Sequence, residues 1–123
     1  MKRGEIWIVS GGSAYTGKAR PAVILQDDRF DASRSVTVCA FTTNLTDAPL
    51  FRIPVDPTAA NGLQQPCRLM IDKITTIARS RVGMRIGQLE PAIIARMDRA
   101  IIVYLGLATS YGAARPRTAG ANG

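Results

Sequence analysis

The stretch GKARPAVILQDD, residues 17–28, decides how this chain can fold. Pro21 fixes its own φ and favours an extended conformation at Arg20, and the run from Ala22 to Leu25 is continuously apolar. An apolar run of this length is typical of a strand that is covered on both faces. The stretch therefore predicts a buried β-strand that begins with an arginine. A guanidinium held there can bind a phosphate through two parallel hydrogen bonds.

The composition predicts one domain that binds a polyanion. The chain has 123 residues, of which 46% are hydrophobic, enough for a single core. We expect one domain over residues 1–110 and a flexible basic tail over residues 111–123, where apolar residues are few. The formal net charge is +7, and thirteen of the sixteen basic residues are arginine. Nucleic acid is the first candidate partner, followed by an acidic protein or an anionic membrane surface.

Several classes of site are excluded by residues that are missing or isolated. The chain has no histidine, so a ribonuclease mechanism based on a histidine pair is excluded. Cys39 and Cys67 are far apart in apolar or mixed surroundings, which predicts reduced core thiols and no metal site. The apolar run within the first nine residues is too short for a targeting signal. No apolar run in the chain has the length of a membrane span. We therefore expect a cytoplasmic protein.

Hydrophobic periodicity predicts five main strands. Residues 35–43, SVTVCAFTT, alternate so that Val36 and Val38 share one face while Cys39 and Phe41 share the other. Pro54 lacks a backbone donor, which predicts that its strand lies at an edge or contains a bulge. The remaining strands are predicted at residues 5–9, 22–25, 50–55 and 68–77, the last with a bend near Thr75. A turn is predicted at Asn61-Gly62, and another over residues 79–85.

One helix is predicted after the strands, over residues 88–108. Its apolar stripe recurs at Leu89, Ile93, Met97, Ile101 and Leu105 and is joined by Ile94 and Tyr104. Pro91 suits the first turn and Gly106 the expected end. Strands followed by one helix indicate a small α+β, mainly β domain on a strongly bent antiparallel sheet.

Five segments together resemble the MazF/PemK family of toxins from type II toxin-antitoxin modules. They are RGEIWIV, GKARPAVILQDD, SVTVCAFTTN, RLMIDKITTI and the C-terminal helix, which follow one another in the family's order over roughly residues 2–108. The resemblance implies a small SH3-like barrel with a C-terminal helix and a homodimer. It also implies a sequence-selective endoribonuclease that needs no metal or cofactor and cleaves single-stranded RNA to 2′,3′-cyclic phosphate and 5′-hydroxyl ends. The implied partner is a cognate antitoxin with a flexible acidic segment, and no membrane is involved.

The resemblance also implies site residues. Arg20 falls on the family's catalytic arginine and Thr42 on its catalytic threonine, while Asp72 falls on a carboxylate that some members use in or beside the site. When the 2′-hydroxyl of RNA attacks the phosphate, a negatively charged phosphorane forms. Arg20 and Thr42 can stabilise the charge on its oxygens. The general base stays open: either Asp72 accepts the 2′-hydroxyl proton, or Arg20 acts as acid and charge stabiliser without a protein base.

A second positive charge is left unassigned, because Met70 stands where some members carry another arginine. Lys18, Lys73, Arg79 and Arg81 are the candidates, and with Thr43 they complete the predicted RNA-binding set.

Each site residue also has a structural interpretation. Arg20 could pair with Asp27 or Asp28 at the surface. Thr42 and Thr43 could serve only as strand formers. Asp72 could form a structural ion pair with Arg68 or Lys73.

The composition is also compatible with two other functions. One is a non-enzymatic poison of DNA gyrase, as the related toxin CcdB is, although that toxin uses a tryptophan near its C-terminus and the one tryptophan here is Trp7. The other is a nucleic-acid-binding module without turnover. Base selectivity is expected to depend on loops 10–19, 44–50 and 56–66, and messenger, transfer and ribosomal RNA are all open as substrates.

Overall fold

In the computed structural model of the chain, the described residues are 1–10, 18–45, 47–48 and 50–107. They form a mainly β domain, as predicted, with one α-helix after the last strand. The strands are β1 (Glu5–Val9), β2 (Arg20–Ile24), β3 (Ser35–Thr42), β4 (Arg52–Val55), β5 (Cys67–Met70), β6 (Thr75–Ala78) and β7 (Val82–Gln88), and the helix is α1 (Pro91–Tyr104). Most of the predicted loop at 10–19 and the whole predicted tail at 111–123 lie outside the described residues.

The antiparallel sheet runs in the order β4-β5-β3-β2-β1-β7, with β6 also paired to β3. Strand β3 has β2 along one edge and two strands along the other, since Thr42 pairs with Arg68 of β5 and Ser35 with Ala78 of β6. The predicted single strand over residues 68–77 is therefore two strands, separated by a 3-10 turn at Ile71–Lys73. Among the described residues no ladder joins β7 to β4 or β6, so the barrel-like sheet is strongly bent and open.

The central strands β2 and β3 pack into two apolar clusters, one on each face of the sheet. The alternation predicted for β3 is confirmed: Cys39 and Phe41 pack in one cluster, which α1 covers through Met97, while Val36 and Val38 pack in the other. Strand β2 is covered on both faces as expected, since Ala22, Val23 and Ile24 are all buried. Burial on both sides holds the first residue of β2 in a fixed place.

Strand β4 lies at the edge of the sheet, so the edge position predicted from Pro54 is confirmed. Strand β7 was not predicted, because only Gly87 of its seven residues is buried and apolar alternation is lacking. Gly87 is required there, since a Cβ would lie 2.3 Å from the Asn61 carbonyl oxygen.

Helix α1 begins at Pro91, with Glu90 as its N-cap, and Gly106 lies just after its end with a φ of +77°. Leu89 and Met97 of the predicted stripe are buried in the core. Leu105 is exposed, contrary to the predicted stripe, because it lies after the last helical residue. No helix in the described part of the chain is long and apolar enough to span a membrane.

The two cysteines are free and buried, as predicted. The Cys39 thiol donates to the Met70 carbonyl oxygen at 3.4 Å, and burial raises its pKa to about 12. Burial also raises the pKa of the Cys67 thiol. A thiol whose pKa is raised by burial is mostly protonated at neutral pH, so neither cysteine is a strong nucleophile.

Candidate active site

Arg20 and Thr42 lie side by side at one end of the sheet. The β2–β3 ladder pairs Ala22 with Ala40, so continuing it by two residues sets Arg20 opposite Thr42. Both residues line one cavity of about 250 Å³. We call this cavity the cationic cleft; its lining is Lys18, Ala19, Arg20, Pro21, Phe41, Thr42, Thr43 and Cys67. The structure thus brings together four of the eight site residues predicted from the sequence.

The Arg20 guanidinium has no ion-pair partner among the described residues. Its Nε atom is buried and has no hydrogen-bond partner in the described structure. The two carboxylates considered as surface partners are engaged elsewhere, because Asp27 binds Arg29 at 3.0 Å and Asp28 accepts from the Arg3 amide at 2.7 Å. A buried donor without a partner is costly. Such a group is typical of a site that is completed by an anionic ligand.

The Thr42 hydroxyl is oriented by the chain that follows β3. Its Oγ1 accepts a hydrogen bond from the Asn44 backbone amide at 3.1 Å. Because this contact uses a lone pair, the hydroxyl proton stays available for donation to a ligand oxygen. The structure therefore leaves a donor at this position that faces the same cavity as Arg20.

Arg68 is a residue that the sequence analysis missed as a site candidate. It pairs with Thr42 in the β3–β5 ladder, so arginines occupy both strands that flank this threonine. Its Nε is also buried and without a partner in the described residues, and its Nη1 lies 3.9 Å from a carboxylate oxygen of the exposed Asp47. Only the pairing of β5 with β3 would have indicated this placement.

Asp72 forms an ion pair with Arg52 and does not line the cationic cleft. Arg52 Nε and Nη2 donate to the two carboxylate oxygens at 2.6 and 2.9 Å. The side chains are only 15% (Arg52) and 19% (Asp72) exposed. The hydrogen bonds from Arg52 lower the pKa of Asp72 below its ordinary value. The partner considered from the sequence was Arg68 or Lys73, and the structure shows Arg52 instead.

The other predicted cations lie outside the cleft lining. Arg79 donates through Nε to the Ser33 carbonyl oxygen at 2.7 Å, beside the start of β3, whereas Thr42 is at its end. Lys73 is exposed in the turn after β5. The Arg81 carbonyl oxygen accepts from the Ser10 amide at 3.0 Å, next to the β1 residue that pairs with Arg20. Arg81 is thus nearer the cleft along the sheet than Arg79.

A model of the "PemK-like, MazF-like toxin of type II toxin-antitoxin system" family matches residues 2–105. The chain belongs to this toxin family. It is 54% identical over 108 residues to the probable endoribonuclease MazF of Mycolicibacterium smegmatis, covering 88% of this chain and 99% of that protein.

Solved structures agree with this membership. The Mycobacterium tuberculosis toxin MazF-mt6 superposes with a TM-score of 0.71 at 30% identity, covering 83% of this chain and 96% of the toxin. A mycobacterial endoribonuclease solved with its cognate antitoxin gives a TM-score of 0.72 at 21% identity, covering 87% of this chain and 96% of that one. The second likeness concerns the fold alone, and both agree with the bent sheet and C-terminal helix described above.

Proposed function

We propose that this chain is the endoribonuclease toxin of a toxin-antitoxin module, cleaving single-stranded RNA in the cytoplasm at the cationic cleft. The observation that carries the proposal is the unneutralised Arg20 guanidinium beside Thr42 in one cavity. Family membership and the relatives named endoribonuclease support the same reaction.

The cleft suits a reaction in which the substrate supplies the nucleophile. The 2′-hydroxyl oxygen attacks phosphorus, the bond to the 5′-oxygen breaks, and a 2′,3′-cyclic phosphate and a 5′-hydroxyl form. Charge accumulates on the non-bridging oxygens, where donors fixed in advance stabilise the transition state most effectively. Arg20 supplies two parallel N–H donors and Thr42 one O–H donor. Water accepts the proton of the 2′-hydroxyl, Arg20 donates a proton to the departing 5′-oxygen, and the guanidine then regains a proton from solvent, so the overall charge is unchanged.

Asp72 has a structural role in this proposal. Its two oxygens already accept from Arg52, and its pKa is lowered, which makes it a weaker proton acceptor. The alternative that Arg20 acts as acid and charge stabiliser, without a carboxylate base, is therefore favoured.

Arg68 is proposed as the second positive charge. An Arg68→Ala variant is expected to lower kcat/KM for RNA by roughly ten- to a hundredfold, since a charge-assisted donor is lost beside Thr42. Initial rates on a fluorogenic RNA would measure this. Arg79→Ala is the matched control, because that guanidinium binds backbone carbonyls near the start of β3. Equal rates for the two variants would remove Arg68 from the site.

The decisive experiment replaces the scissile nucleotide by its 2′-deoxy form. We expect cleavage to be abolished and binding to be largely kept, because the nucleophile is lost while the phosphate contacts remain. Mapping new 5′-hydroxyl ends measures cleavage, and fluorescence anisotropy measures binding. Equal cleavage of the deoxy substrate would contradict the mechanism. Salt-dependent binding of all-ribose RNA without new 5′-hydroxyl ends would indicate a nucleic-acid-binding module without turnover. Inhibition of DNA gyrase with the RNA left intact would support the non-enzymatic gyrase poison.

We also propose that a cognate antitoxin inhibits the chain by placing an acidic flexible segment on the same surface. A carboxylate can occupy the bidentate site that Arg20 offers to a phosphate. The net charge of +7 favours such a partner.

A further inference from the structure

A second cavity, the apolar slot, adjoins the cationic cleft. The two share Pro21, Thr43 and Cys67, so a molecule in one touches the wall of the other. Ile8 and Ile86 add apolar surface to the slot, and residues 62–65 form a further wall. Its volume is about 240 Å³, and none of its lining residues is charged. A phosphate would find no cation there, whereas a flat apolar ring system would be buried.

The loop wall of the slot is rigid before any ligand arrives. Asn61 is fully buried, its Oδ1 accepts from the amides of Thr58 and Leu63 at 3.0 Å each, and its Nδ2 donates to the Asp56 carbonyl oxygen at 2.9 Å. Gly62 has a φ of +70°, and a Cβ at this position would lie 2.1 Å from the Ile86 carbonyl oxygen. The turn is therefore packed directly on β7, and a preformed wall reduces the entropic cost of binding.

The rim of the slot carries amides that can distinguish bases. Gln64 and Gln65 are both exposed and line the slot. A glutamine side chain offers two donors and one acceptor, a pattern that matches the edge of an unstacked base. Proteins that read single-stranded RNA use such contacts together with apolar burial of the ring.

We propose that the apolar slot receives the one nucleobase that adjoins the scissile phosphate, and that Gln64 and Gln65 select its identity. The inference rests on the proposed function, because it places the scissile phosphate at Arg20 and Thr42. The volume lies below the roughly 300–1,000 Å³ of drug-sized sites, a size that suits one base. The wall at residues 62–65 belongs to one of the loops expected from the sequence to control base selectivity.

The test compares base preference in a Gln64→Ala/Gln65→Ala variant and in the wild-type protein. A library of RNA with random sequence is cleaved, and the bases beside each new 5′-hydroxyl end are counted. We expect the preference at one position next to the cut to fall roughly tenfold in the variant, while preferences elsewhere persist. Gln88→Ala is the control, because this exposed glutamine of β7 lies outside the slot and should leave every preference unchanged. Unchanged preferences in the double variant would overturn the inference.

A binding measurement separates this inference from the proposed function. RNA with a 2′-deoxy scissile nucleotide and an abasic residue beside it is expected to bind the wild-type protein roughly ten- to a hundredfold more weakly than the same RNA with the base present. This affinity can be measured without cleavage. A protein that cuts no RNA but still prefers the RNA with the base would contradict the proposed function and leave the inference about the slot intact. Equal affinity with and without either flanking base overturns the slot. The same holds if the glutamine variant weakens only antitoxin binding, which would assign the slot to an antitoxin side chain.

Discussion

An Arg20→Ala variant is expected to lower kcat/KM for RNA cleavage by roughly a hundred- to a thousandfold. Arg20 is the one cleft residue that offers two parallel donors to a phosphate, and its buried Nε has no partner in the described structure. Its interactions with the phosphate strengthen as charge grows on the phosphorane, so most of the loss should appear in kcat and not in KM. Single-turnover cleavage of an RNA that contains one cut site would measure the effect.

Two variants make the result specific to the guanidinium. Arg20→Lys keeps the positive charge but loses the two parallel N–H donors of the guanidinium. It should recover only a small part of the cleavage rate that Arg20→Ala loses. Arg29→Ala removes the same charge from an exposed side chain and should leave the rate unchanged. The melting temperature of Arg20→Ala should stay close to that of the parent protein, because Arg20 makes no ion pair among the described residues. Wild-type cleavage by a folded Arg20→Ala protein would contradict the assignment of the active site.

Strand β2 and its arginine could be predicted because the signals are local. Pro21 restricts Arg20 directly, and the apolar run after it reports burial on both faces. The two faces of β3 followed from its period of two, and the ends of α1 from Pro91 and Gly106. In each case neighbouring residues in the chain carry the information.

The features that could not be predicted depend on which strands pair. The ion pair between Arg52 and Asp72 joins residues 20 positions apart, and Arg68 lies opposite Thr42 only because β5 pairs with the end of β3. Strand β7 has no apolar alternation, and its glycine at position 87 is required by the approach of Asn61. Asp72 was predicted as a site residue from its position in a motif, whereas its hydrogen bonds connect it to β4.

An Asp72→Asn variant is expected to destabilise the fold by about 3 kcal/mol. The change leaves the Arg52 guanidinium mostly buried opposite a neutral group, and breaking one side of a buried pair costs far more than losing an exposed one. Urea unfolding followed by circular dichroism would measure the difference. Asp31→Asn is the matched control, because it breaks the exposed ion pair with Lys2 and should change stability little.

Acid and activity measurements separate a structural Asp72 from a catalytic one. Since folding lowers the pKa of this carboxyl, its stabilisation is complete above its ordinary value of 3.8 and is lost as the pH falls through the lower folded pKa. The stability difference between the parent protein and Asp72→Asn should therefore shrink in that acid range and stay constant from pH 5 to pH 7. At a temperature where both proteins are folded, their kcat values should be similar, with the same pH profile. If Asp72→Asn were as stable as the parent protein but lost cleavage, the carboxylate would be the general base and the role proposed here for Arg20 alone would be wrong.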